Sequence, residues 1–116
     1  MKFFGRNEMQ TKFTVRQIHV FPKRGNLTNV VGKVDWSVTF TKNSATSTGA
    51  GETLLDVDNI NNFIEIDDVT EQMAIDWMLQ KEGGDAFIQR LQKMHEPMLE
   101  FQEKMSGLVP WEFADK

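Results

Sequence analysis

The chain has 116 residues, of which 40% are hydrophobic and 26% charged, so it carries enough apolar material for one domain with a single core and too little length for two. It contains no cysteine, which excludes disulfides, thiolate metal centres and thiol nucleophiles and agrees with a reducing compartment. The net charge of −4 divides unevenly: residues 1–50 hold eight bases against two acids, a net +6, and residues 51–116 hold five bases against fifteen acids, a net −10.

Residues 1–10 show no sustained period and read as a flexible arm carrying Phe3 and Phe4, with residues 11–116 as a single α+β domain. Residues 12–21 are rich in β-branched and aromatic side chains and predict a strand ending at Pro22. Its apolar parity changes from Phe13 and Val15 to Ile18 and Val20, which points to a bulge near Arg16-Gln17 in preference to burial of both faces. Pro22, Gly25 and Asn26 supply the chemistry of a hairpin loop over 22–26. Residues 29–41 alternate cleanly, with Val30, Val34, Trp36, Val38 and Phe40 on one face, and predict the strongest strand. Gly32 interrupts that stripe where another element can approach closely.

The small, polar residues 43–51 read as a loop, followed by a third strand over 52–57 with Thr53, Leu55 and Val57 in one phase. Residues 63–66 form either a fourth short strand or an apolar lead-in to a helix. Asp68, with Glu71 three residues on, predicts a helix N-cap. That helix carries Val69, Met73 and Trp77 on its apolar face beside Ala74 and Met78, and stops at Gly83-Gly84. In the next helix Phe87, Leu91, Met94, Met98, Phe101 and Met105 are spaced 4, 3, 4, 3, 4, a heptad-like seam. Core packing is the preferred use of that seam over self-association, which leaves Ile88, His95 and Leu99 as a side stripe facing another subunit. Pro97 falls within it, so a kinked helix or two collinear helices are expected. Gly107 and Pro110 end the helix, and Trp111 and Phe113 follow in the tail. The fold expected is α+β: an antiparallel sheet of three to four strands packed by two to three C-terminal helices.

Chemistry is sparse. The stretch Asp56-Val57-Asp58-Asn59-Ile60-Asn61-Asn62 opens like an EF-hand loop, but Ile60 occupies the fifth position, Asn61 the sixth where glycine is needed, and Asp67 the twelfth. His19 and His95 have no acid, serine or cysteine at a recognisable spacing and read as structural. Paired acids such as Asp67-Asp68 suit the start of a helix. No catalytic residue, metal ligand or cofactor site is read, and the chain is expected not to be an enzyme.

The basic residues Lys12, Arg16, Lys23, Arg24, Lys33 and Lys42 fall on one two-stranded ribbon, which together with Phe3 and Phe4 forms the expected partner-binding set. The uneven charge has two readings: attraction between the two layers of the fold, or a basic face that docks on an acidic protein or a phosphate backbone. The aromatics of the ribbon lie mostly in the apolar phase, which disfavours nucleic acid. No apolar run approaches the roughly 20 residues required to cross a bilayer, and Lys2-Phe3-Phe4-Gly5-Arg6 is too short for a signal-peptide core, so no membrane partner is expected.

Four landmarks resemble a family of small, functionally uncharacterised tailed-bacteriophage proteins, and the likeness covers most of the chain. They are Phe13-Thr14-Val15-Arg16-Gln17-Ile18; Val30-Val31-Gly32-Lys33-Val34-Asp35-Trp36-Ser37-Val38; Val69-Thr70-Glu71-Gln72-Met73-Ala74-Ile75-Asp76-Trp77; and Gly107-Leu108-Val109-Pro110-Trp111. The resemblance implies phage origin and a noncatalytic role, and it supplies no catalytic residues. The expectation is a virion-associated or accessory protein, located in the virion or the host cytoplasm, that contacts phage structural proteins or copies of itself. The alternative is an intracellular phage protein that binds a host protein or nucleic acid during infection.

Overall fold

The cleanest alternation in the chain becomes the middle of a sheet. In the computed structural model, which describes residues 9–57 and 63–105, strand β1 (Gln10–Arg24), strand β2 (Leu27–Lys42) and strand β3 (Ala45–Leu54) form an antiparallel sheet in the order β1-β2-β3. Helix α1 (Glu71–Glu82) and helix α2 (Asp85–Lys104) follow. Val30, Val34, Trp36, Val38 and Phe40 of β2 are all buried, as a period of two requires when one sheet face is covered by helices.

Both hairpins close through two residues. Gly25 sits at φ 64 ahead of Asn26, the arrangement of a type II′ turn, whose twist matches that of paired strands. Asn43, at φ 56, begins the second turn. The expected loop over 22–26 is therefore shorter, and Pro22 belongs to β1, where an edge strand tolerates its missing N–H. The register shifts between Val15 and Gln17, which is the bulge that the parity change predicts. Gly32 admits the Phe21 ring, which a Cβ there would meet at 2.5 Å.

Residues 43–51 are not a loop. Almost all of them lie in β3, which ends at Leu54 and not at Val57. The physical reason is visible at Gly51, where a Cβ would lie 2.5 Å from the Trp36 ring. The small residues make room for a large side chain on the neighbouring strand. Trp36 fills that space between Phe13 and Phe87, both edge-on at 5.9 and 5.8 Å. Its Nε1 donates at 3.0 Å to the Thr53 hydroxyl, which in turn donates to Glu82 of α1.

The segment over 63–66 is no strand: it leads into a 3-10 turn, Ile66–Asp68. Asp68 belongs to that turn, and the N-cap of α1 is Thr70, whose hydroxyl accepts from Met73 N at 3.1 Å. Thr70→Ala is expected to cost about 1 kcal/mol of stability, read as a lower urea midpoint at unchanged slope. The buried face of α1 is Ala74, Ile75 and Met78, with Met73 and Trp77 only partly covered. Gly83 and Gly84 take positive φ and end the helix.

Helix α2 runs unbroken through Pro97, as one helix and not two. Its rotation differs from the expectation. Leu99 is fully buried and Phe87 nearly so, while Met94, Met98, Phe101 and Met105 are 67, 52, 58 and 58% exposed. The expected core seam is thus largely outside the core, while Leu99 and His95 of the expected side stripe face inward and Ile88 is half-buried. Four polar contacts hold this rotation: Gln92 donates to Thr11, His95 meets Ser47, Gln102 bonds Thr46, and Glu103 accepts from Asn43. The helix end at Gly107 and the aromatic tail lie outside the described residues, as do Phe3 and Phe4 and most of the EF-hand-like stretch.

Candidate protein-contact surface

The basic residues expected to bind a partner do not gather into one patch. Lys12 and Lys33 share the uncovered sheet face, since they stand in register with Thr39 and His19. Lys23 and Lys42 have the phase of the buried row, at opposite ends of β2's two hairpins. Arg16 sits in the bulge, and Arg24 lies over the Phe21 ring at 5.4 Å. At about 3.3 Å per residue, Lys12 and Lys23 are roughly 36 Å apart along β1. Lys33 is engaged by Asp35 at 3.8 Å and Glu52 at 3.5 Å.

The acidic half meets the sheet through groups other than lysine or arginine at three positions. Glu71 accepts from Val15 N at 2.9 Å, Glu82 from Thr53, and Glu103 from Asn43 at 3.0 Å. A shallow groove of about 310 Å³ between the β1 bulge and the start of α1 is lined by Val15, Ile18, Val69 and Glu71. The Glu71 carboxylate there is already bonded to backbone.

Both histidines acquire partners that spacing alone did not show. His19 Nε2 lies 3.0 Å from Asp35 Oδ2 on the uncovered sheet face. His95 Nδ1 lies 2.6 Å from Ser47 Oγ, with its ring tilted on Phe40 at 4.6 Å and a Cβ at Gly49 reaching within 3.1 Å of Nε2. A serine beside a histidine suggests nucleophilic chemistry only when a third group orients the base. His95 is oriented by an aromatic ring and a glycine, and its bond ties α2 to β3. Among the described residues no cluster of three or more metal-ligating side chains occurs, and no helix is long and apolar enough to cross a membrane.

The most distinctive surface adjoins β3. Gln102 Oε1 accepts from Thr46 N at 3.0 Å, and its Nε2 donates to Thr46 O at 2.8 Å. The N–H and C=O of Thr46 therefore point away from β2. Backbone direction alternates along a strand, so Thr48, Ala50 and Glu52 present theirs on the same outer edge, where no described residue bonds them. From Thr48 to Gly51 this edge has neither charge nor proline. The outer edge of β1 is different, with two register shifts, Pro22, several bases and the Glu71 contact, all features that discourage strand addition.

The exposed apolar row of α2 overhangs the same edge. Gln92 reaches β1, whereas His95 and Gln102 reach β3. With 3.6 residues per turn, each step of three carries a side chain about 60° further from the Gln92 side. The steps from His95 to Met98 to Phe101, and from Gln102 to Met105, thus pass β3 and continue outward. No charged residue lies within the row, and Arg90, one turn before it, is drawn over the Phe87 ring at 5.5 Å. Sequence reasoning found these apolar residues by their spacing but assigned them to the core.

A three-stranded antiparallel meander followed by two C-terminal helices defines a small α+β domain. The chain belongs to the family described as Domain of unknown function (DUF7936), whose model matches residues 8–106. No curated protein and no solved structure matches it.

Proposed function

We propose that this chain is a noncatalytic bacteriophage accessory or virion-associated protein that acts through protein–protein contacts, as a cement, adaptor or oligomeric structural piece. The observation that carries the contact role is the apolar flank of α2, where Met94, Met98, Phe101 and Met105 stand more than half exposed beside a strand edge that, beyond Thr46, bonds no described residue. A contiguous exposed apolar row of this kind marks interaction surfaces. Phage origin is supported by the resemblance of the four sequence landmarks. The dispersal of Lys12, Arg16, Lys23, Arg24, Lys33 and Lys42 over two faces favours protein over nucleic acid as partner, because phosphate tracking needs a continuous basic path.

Mass spectrometry of purified phage particles tests this reading. The protein is expected in the particle at a reproducible copy number relative to the major structural proteins. Its absence from particles, with the chain found only in infected-cell lysate, overturns the virion-associated role.

A further inference from the structure

We infer that the partner on this surface is a second copy of the chain, joined about a two-fold axis through β3–β3 pairing with α2 packed against α2. The inference rests on the contact role proposed above and names its first partner. Two independent features lie on one side of the molecule. One is an outer strand edge whose N–H and C=O groups at Thr48, Ala50 and Glu52 bond no described residue; the other is an exposed apolar flank on the helix that reaches this edge through Gln102.

A partner that satisfies both must offer an unpaired strand edge and an apolar helix side in matching arrangement. This chain offers both, and a two-fold axis presents them to each other with the antiparallel sense that a two-fold imposes. Each facing pair in such a ladder exchanges two hydrogen bonds at one position and brings side chains together at the next. A two-fold near Ala50 sets Thr48 opposite Glu52 of the second copy, so the two glutamates do not face each other. Gly49, Ala50 and Gly51 add no bulk to the seam.

The two sheets then become one, and the α2 helices lie side by side on its covered face. The two α2 helices run antiparallel about that axis, so the rows of Met94, Met98, Phe101 and Met105 face each other in opposite directions, with no charged residue in either row. Methionine suits such a seam because its unbranched thioether fills irregular gaps. The stretch from Met94 to Met105 spans about 17 Å, a row of three turns from which the contact is drawn.

Light scattering coupled to size exclusion, run on the full chain across a concentration series, tests the inference. The expected mass is twice that of the chain. Two variants separate the features. Met98→Lys combined with Phe101→Lys places charge on side chains that are exposed in the single chain, and Ala50→Pro removes an N–H that points away from β2. Each is expected to halve the mass while far-UV circular dichroism stays unchanged. Should Ala50→Pro unfold, the lysine pair decides alone.

A wild-type chain that stays monomeric at every concentration overturns the inference, whether its flank is covered by residues 106–116 of the same molecule or by another protein. So does a dimer whose mass the lysine pair leaves intact. A monomer that is nevertheless present in purified particles sinks the dimer and leaves the proposed function standing. A dimer absent from particles does the reverse.

Discussion

Trp36→Ala is expected to lower the stability of the fold by about 3–5 kcal/mol, the usual cost of truncating a large buried aromatic. Trp36 is 5% exposed and touches both layers of the structure, with Phe13 of β1 on one side and Phe87 of α2 on the other. Truncation also leaves Thr53, itself 1% exposed, without the indole donor. The void cannot collapse readily, because the strand beside it carries glycine at position 51 and has no side chain to move in. Against a typical total of about 5–15 kcal/mol for a single domain, such a loss removes a large share. A fall in melting temperature of roughly 10–20 °C is the corresponding thermal result. Trp36→Phe keeps an aromatic ring in place and is expected to cost clearly less in the same urea titration. Equal losses for the two variants mean that the hydrogen bond to Thr53, and not packing, dominates at this position.

Leu99→Ala is expected to cost about 2–5 kcal/mol, whereas Phe101→Ala changes stability by less than about 0.5 kcal/mol when measured at a dilution where the chain is monomeric. The pair tests the rotation of α2 directly. Leu99 is fully buried and Phe101 is 58% exposed, although the larger aromatic is the residue that a heptad reading sends to the core. The reverse order of effects turns the helix by about half a turn and removes the flank on which the contact surface is built.

The parts of this fold that were legible in the sequence are those where one physical rule acts alone. Strand β2 announces itself because Val30, Val34, Trp36, Val38 and Phe40 alternate with polar residues over its length. The bulge in β1 is readable because an extra residue flips the parity of every side chain beyond it. Gly83 and Gly84 mark the end of α1 because they alone take its terminal positive φ values easily. Strand β3 was hidden for the opposite reason. Threonine, serine, alanine and glycine form no hydrophobic pattern, and their extended conformation is imposed by β2 beside them and by the space that Trp36 and His95 require.

The rotation of α2 was hidden because its apolar spacing shows that a stripe exists without showing which way the sheet lies. Gln92, His95, Gln102 and Glu103 settle that, and their partners stand 48 or more residues away along the chain. Long-range polar pairing leaves no local trace in a sequence. The same holds for His19, whose carboxylate partner is supplied by the neighbouring strand at Asp35. The basic residues were correctly placed on one hairpin, yet a hairpin has two faces and considerable length, and counting charges along it does not say whether they converge.

The amide of Gln102 occupies Thr46 in the way a peptide unit of an adjoining strand would, accepting from its N–H and donating to its C=O. A side chain thereby imitates one rung of a missing strand and stoppers the edge at its turn-proximal end. Any incoming strand must begin beyond that plug, at Thr48, and finds a short run of backbone that no described residue bonds before β3 ends at Leu54. The molecule thus limits its own capacity for strand addition to a brief, fixed stretch, which favours a closed pair over the open-ended stacking that a longer bare edge invites.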